Sequence, residues 1–305
     1  MSDRAKIIFI DDDERMVRSL ARLFRGDFDV VATTDPQVVL DLVRRERVHV
    51  IVSDQRMPDM EGVDLLRQVR AISPATIRML LTGYADLAAV MGSINDGEIF
   101  RFVRKPWDSE ELRRKVTDAV TIARELFELQ SGLAQIPMAE SSAAGTDVLV
   151  IDDSEEMYHL VVSVLGDSRT VHWSNTLDSV LDVMQDGRIG VVLSDVRLNG
   201  TDISGALKVL KRHEPTLLTV VLTSFQDSGQ LIELINEAQV FRVLRKPVDP
   251  VLLQPAIAAA MTRARELDAQ PRLSCQYSVE EMHGMETVPE PFLARVRSLG
   301  QRLHR

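Results

Sequence analysis

Asp11-Asp12, Asp54, Thr82 and Lys105-Pro106 return as Asp152-Asp153, Asp195, Thr223 and Lys246-Pro247. The differences 152−11, 195−54, 223−82 and 246−105 all equal 141, so one constellation is written twice in register. Three carboxylates with a lysine and a threonine are the parts of a phosphoryl-transfer site. Like charges packed together are costly unless a cation compensates them or one keeps a proton. All-oxygen ligands in an open site favour Mg2+, which keeps waters and shares itself with a phosphate. Lys105 and Lys246 offer fixed positive charge, and Thr82 and Thr223 a hydroxyl, for phosphate oxygens. An aspartate beside Mg2+ and a lysine can attack a phosphoryl group in line and become an acyl phosphate. Asp54 and Asp195, standing alone, are the candidate nucleophiles, because the acidic pairs are better arranged to hold metal.

Each special residue closes a short apolar run. The runs are 7–10, 48–53, 77–81 and 99–103 in the first copy, and 148–151, 191–194, 217–222 and 240–244 in the second. Such Ile- and Val-rich runs read as strands buried in a parallel sheet. Helix-length stretches such as 14–25 and 37–45 lie between them, so the pattern predicts two α/β units, each a doubly wound five-stranded (βα)5 sheet. In such sheets ligands bind at the C-terminal strand ends, where all of these residues fall. Asp108 and Glu111 predict a capping box for the last helix of the first unit, with Leu112, Val116, Ala119, Ala123 and Leu126 as its apolar stripe. In the second unit Pro255 is expected to kink or restart the corresponding helix. The units are expected at 1–130 and 147–268, joined by a linker at 131–146 poor in large apolar groups. A tail at 269–305 follows, with Phe292, Val296, Leu299 and Leu303 at helical spacing among arginines, as in a short amphipathic docking helix.

A chain of 305 residues, 45% apolar and 27% charged, accommodates two such globular units. No apolar run approaches the roughly 18–20 residues that span a bilayer, and the first residues lack a signal peptide's apolar core. The lone Cys275 cannot form an internal disulfide and suits a reducing cytoplasm. A net charge of −10 argues against a broad nucleic-acid-binding surface.

These residues resemble the receiver (phosphoacceptor) domain of two-component response regulators. The resemblance rests on Ile10-Asp11-Asp12, Asp54 with Met57-Pro58 and Gly62, Leu81-Thr82-Gly83 and Lys105-Pro106, then on Ile151-Asp152-Asp153, Asp195, Thr223-Ser224 and Lys246-Pro247. It implies that Asp54 and Asp195 accept phosphate from a phosphohistidine of a sensor histidine kinase or histidine phosphotransfer protein. It further implies Mg2+ held by Asp11, Asp12 and Asp54 with the Arg56 carbonyl, and by Asp152, Asp153 and Asp195 with the Arg197 carbonyl. On this reading the chain is a cytoplasmic signalling protein rather than an enzyme. Its output is binding to a downstream protein or a second copy, through the face of the fourth helix, fifth strand and last helix. Direct nucleic-acid or membrane binding is not expected. Two alternatives stay open: a phosphate sink or relay intermediate, and the regulatory half of a longer enzyme such as a cyclic-dinucleotide phosphodiesterase.

The copies also differ. Asp13 of the first faces Ser154 of the second, which excludes it from shared machinery, makes it a helix start, and breaks the Asp-x-Asp of a haloacid-dehalogenase-type phosphatase. Phe102, the aromatic expected to couple to Thr82, is replaced by Val243, while Phe241 matches Phe100. Leu198-Asn199 and Ile203 replace Met57-Pro58 and Gly62. Tyr84 and Phe225, two residues past each threonine, together with Arg56 and Arg197, are expected to shield an acyl phosphate from water.

Overall fold

The computed structural model describes residues 4–83, 99–133, 147–166, 169–186, 188–224, 228–277 and 288–303. The chain divides into two units, 1–137 and 138–305. The first contains β1 (Lys6–Ile10), α1 (Glu14–Phe24), β2 (Asp29–Thr33), α2 (Pro36–Arg45), β3 (Val50–Asp54), α3 (Gly62–Ile72), β4 (Ile77–Thr82), β5 (Arg101–Arg104) and α4 (Ser109–Leu133). Its strands are all parallel in the order β2-β1-β3-β4-β5. Ile7, Ile8, Phe9 and Ile10 are fully buried, as befits a strand covered by helices on both faces. The predicted stripe of α4 is buried throughout. Asp108 caps that helix by accepting the Glu110 and Glu111 N–H groups, both at 2.9 Å. The Glu111 carboxylate lies 2.8 Å from Lys115 Nζ. The helix runs to Leu133, into the stretch expected to be linker. The expected fourth helix of this unit falls at 84–98, outside the described residues.

The second unit repeats the plan with β6 (Asp147–Ile151), α5 (Glu155–Leu165), β7 (Val171–Ser174), α6 (Leu177–Asp186), β8 (Ile189–Asp195), α7 (Ser204–His213), β11 (Leu218–Thr223), α8 (Ser228–Ala238), β12 (Arg242–Arg245) and α9 (Pro250–Ala269). An antiparallel hairpin, β9 (Arg197–Leu198) and β10 (Thr201–Asp202), is inserted before α7. The main sheet is parallel, in the order β12-β11-β8-β6-β7. In both sheets the direction of winding reverses at the strand carrying the acidic pair, which opens a crevice at the strand ends.

Pro255 does not restart its helix: α9 runs from Pro250 to Ala269 through it. Pro255 sits on the exposed face, so the carbonyl that loses its N–H partner there faces solvent. The tail contributes a 3-10 turn at Pro271–Tyr277 and α10 (Glu290–Leu303). Helix α10 packs on its own unit: Phe292, Leu293 and Val296 join Leu181, Met184, Leu207 and Leu210 in one core cluster. Arg295 reaches Asp178 and Asp182 on α6 at 3.1 and 2.5 Å. The side chains of Leu299 and Leu303 lie outside those described.

Two features sit away from the crevice. Lys211 on α7 is 1% exposed, and its Nζ donates to the Pro215 and Leu217 carbonyls at 2.8 and 2.5 Å. The Tyr277 ring centroid is 4.8 Å away. Each sheet also ends in a four-residue edge strand, Arg-Phe-Val-Arg in β5 and Arg-Val-Leu-Arg in β12. Arg101 and Arg242 stack on Phe100 and Phe241 at 4.0 and 4.2 Å from the ring centroids.

Candidate functional site

The crevice of the first unit is assembled by backbone as much as by side chain. Asp11 follows β1 with 2% exposure, and its Oδ1 accepts the Asp13 N–H at 2.9 Å. Asp54 ends β3, and its Oδ2 accepts the Arg56 N–H at 3.0 Å. Lys105 is placed by its own N–H, which donates to the Thr82 carbonyl at 2.9 Å. Its Nζ then bridges Asp11 Oδ2 at 2.8 Å and Asp54 Oδ1 at 2.5 Å. The second unit repeats this bridge, with Lys246 Nζ at 2.6 Å from Asp152 and 2.5 Å from Asp195. Its Asp195 carboxylate likewise takes the Arg197 N–H, at 3.2 Å. Thr82 and Thr223 end β4 and β11 and are buried; the Thr82 hydroxyl donates to the Gly83 carbonyl at 3.3 Å. Phe102 and Val243 are both buried on their edge strands. Tyr84 and Phe225, the expected shields, lie outside the described residues.

Burial pushes the Asp54 carboxyl up from its ordinary range, against the opposing pull of Lys105; the neighbouring Asp11 adds to the rise. Burial works to lower Lys105 and Lys246, but the hydrogen bonds each makes to its two aspartates outweigh it, and both amines are raised. Both lysines are therefore fixed cations at neutral pH.

Asp13 and Ser154 turn out to do the same job with different chemistry. Each caps the helix after the acidic pair, accepting the Arg15 N–H at 2.8 Å and the Glu156 N–H at 3.1 Å. The loops after Asp54 and Asp195 diverge much more. In the first unit the carboxylate oxygens of Asp11, Asp12 and Asp54 lie within 4.8 Å of one another, a hard all-oxygen donor set that fits Mg2+. In the second, Asp153 Oδ1 accepts the Asn199 N–H at 2.6 Å, and among the described residues the second triad does not gather in this way. Asn199 and Gly200 have φ of 52° and 77° and form the two-residue turn of the β9–β10 hairpin. Their counterparts by the 141-residue offset are Pro58 and Asp59.

The same offset pairs Gly62 with Ile203. A Cβ on Gly62 would stand 2.0 Å from the Asp54 carbonyl oxygen, so helix α3 can start there only without a side chain. Helix α7 starts one position later, at Ser204, which leaves Ile203 outside the helix and free to bury its side chain, 3% exposed, in the core. Sequence reading noted the substitution of Leu198-Asn199 but missed the hairpin, although Asn-Gly is a strong short hairpin signal. It also missed Trp173, whose indole N–H donates to the Asp152 carbonyl at 3.0 Å.

The sequence profile of the response regulator receiver domain matches residues 7–117 and again 148–258. The hydrogenase transcriptional regulatory protein HoxA of Bradyrhizobium diazoefficiens is 33% identical over 148 residues, 48% of this chain and 28% of that protein. The response regulator protein TodT of Pseudomonas putida is 31% identical over 125 residues, 40% of this chain and 55% of that protein. A solved structure described as adenylate cyclase from Rhodopirellula baltica is 28% identical with a TM-score of 0.41, covering 44% of this chain and 99% of that one. The chain thus spans about a quarter to about a half of these curated relatives.

Proposed function

The chain belongs to the response regulator receiver family and carries its domain twice; from that premise we propose that it is a two-component signalling protein phosphorylated on Asp54 and Asp195. The donor is the phosphohistidine of a sensor kinase or histidine phosphotransfer protein. The Asp54 carboxylate attacks phosphorus, a P–O bond forms as the P–N bond breaks, and the imidazole keeps the electron pair and takes a proton from water. In the first receiver Asp11, Asp12, Asp54 and the Arg56 carbonyl would hold Mg2+. When bound, the ion neutralises charge on the transferring oxygens. Lys105 and Lys246 hold positive charge at the acceptor, and Thr82 and Thr223 present a hydroxyl to the phosphoryl group.

The single observation that carries this reading is the lysine bridge, which joins the acceptor aspartate to the first acid of the pair in both units. Receivers at 1–130, with its last helix carried on to Leu133, and 147–268, a linker between them and a tail at 269–305 complete the assignment. Among the described residues no helix is long and apolar enough to cross a membrane. With a net charge of −10, the readout we assign is a shift between two conformations that biases binding of another protein in the cytoplasm.

Intact-mass phosphorylation with acetyl phosphate at saturating Mg2+ tests the reading. Wild type should take two phosphoryl groups, and Asp54→Ala and Asp195→Ala one each. Unchanged labelling in both variants refutes the assignment of the acceptors.

A further inference from the structure

In the second receiver every acid of the site already has a partner. Lys246 bridges Asp152 and Asp195. Asp153 Oδ1 is taken by the Asn199 N–H at 2.6 Å, a short hydrogen bond to a carboxylate oxygen. The residue that supplies this donor is held from several sides. Asn199 Nδ2 donates to the Asn175 carbonyl at 2.9 Å, which ties the turn to the loop after β7. Arg197 Nη2 donates to the Gly200 carbonyl at 2.8 Å and closes the hairpin. The Ser204 N–H donates to Asp202 Oδ1 at 2.8 Å, and buried Ile203 anchors the far end in the core. In the first receiver the equivalent position is Pro58, which has no N–H to offer. There the three acids stand within reach of a single ion.

We propose that the β9–β10 hairpin is a lock on the second metal site: it commits Asp153 to the Asn199 N–H, so the second receiver binds a divalent cation much more weakly than the first. The inference rests on the phosphoacceptor reading and adds an order to it. The first receiver is loaded at ordinary Mg2+ concentrations, and the second only when the hairpin releases its acid. Breaking a charge-assisted hydrogen bond before metal can enter corresponds to an affinity about tenfold to a hundredfold lower. A partner that pulled on the exposed turn would raise that affinity without touching the acceptor.

The test is direct binding of Mn2+, a paramagnetic stand-in for Mg2+, to the full chain at physiological ionic strength, with free ion counted by electron paramagnetic resonance. Wild type should show one tight site, lost in Asp12→Ala, and one at least about tenfold weaker, lost in Asp153→Ala. Asn199→Pro with Ile203→Gly writes the first receiver's residues into the loop and should bring the weak site close to the tight one. Gly200→Ala is the milder variant: its φ of 77° disfavours any side chain while nothing lies within 4 Å of a Cβ. It should loosen the turn and tighten Mn2+ binding in the same direction. Two sites of equal affinity, each lost with its own acid, overturn the lock while leaving the phosphoacceptor reading intact. A weak site that stays weak in both loop variants also overturns it. Absence of a tight site dependent on Asp12 removes the Mg2+-dependent reading, and the lock with it.

Discussion

Gly62→Ala is the sharpest probe of how the first site is built. The added Cβ would lie 2.0 Å from the Asp54 carbonyl oxygen, 2.9 Å from its carbon and 2.8 Å from Leu80 Cδ1. The Leu80 methyl can rotate away; the carbonyl cannot, because it belongs to a central strand and accepts the Ser53 hydroxyl at 2.8 Å. Overpacking costs about 1–3 kcal/mol, and a backbone obstacle puts this case in the upper half. Alanine's better helix propensity offsets at most about 1 kcal/mol, less in a first turn. The net expectation is a loss of about 2 kcal/mol, or about 1 M in urea midpoint at a typical slope. The chain has two tryptophans, Trp107 in the first receiver and Trp173 in the second. A Trp173→Phe background therefore reports unfolding of the first receiver alone. Asp54 labelling should slow in parallel, because the strand end that carries the nucleophile is what moves. A midpoint shift under about 0.3 M would refute the claim that the helix start and the acceptor strand are in rigid contact. The reciprocal change, Ile203→Ala, must also destabilise, by about 2–5 kcal/mol, through the cavity it leaves.

Burial lowers the Lys211 amine to about 7, below its ordinary 10.5. The unfolded chain then binds the extra proton between those values, so stability of the second receiver rises with pH across that window, by at most about 1.4 kcal/mol per unit. The two carbonyls and the Tyr277 ring favour the ammonium and soften that slope; Lys211→Met should abolish it, and an unchanged slope in urea melts read by Trp173 would sink the argument. Phe292→Ala should loosen α10 by about 3 kcal/mol, seen as faster tryptic cleavage at Arg295 and Arg297 with the rest of the second receiver intact. Pro255→Ala should stabilise the second receiver by about 1–2 kcal/mol, since it restores an N–H to a helix that already passes through that position; a lower melting temperature would contradict it.

Much of the fold was legible because parallel strands buried on both faces have little choice of residue. Ile7 to Ile10 and Val148 to Ile151 could be read as core strands, and the chemistry at their ends followed. Asp108 and Asp13 could be read as caps because a side chain that bonds its own helix start is a local matter. What escaped was non-local. Asn199-Gly200 signals a turn, but nothing in the sequence says that its N–H points at Asp153, 46 residues away. That Pro255 would not restart its helix was not legible, because the cost of a missing N–H depends on whether the orphaned carbonyl faces solvent, which only packing decides. The tail's arginines were legible as a polar face, but their acidic counterparts on α6 come from the far side of the chain.

The arginines that begin and end β5 and β12, one edge strand of each sheet, have a consequence for how the chain avoids itself. An open sheet edge is a template for another strand, and a tandem repeat supplies a matching edge on every molecule. If β5 or β12 paired edge to edge with its own kind in antiparallel register, Arg101 would face Arg104, and Arg242 would face Arg245. Like charges set directly opposite oppose pairing at both ends of a ladder only four residues long. The short charged strand thus guards that edge of each sheet against pairing with its own kind.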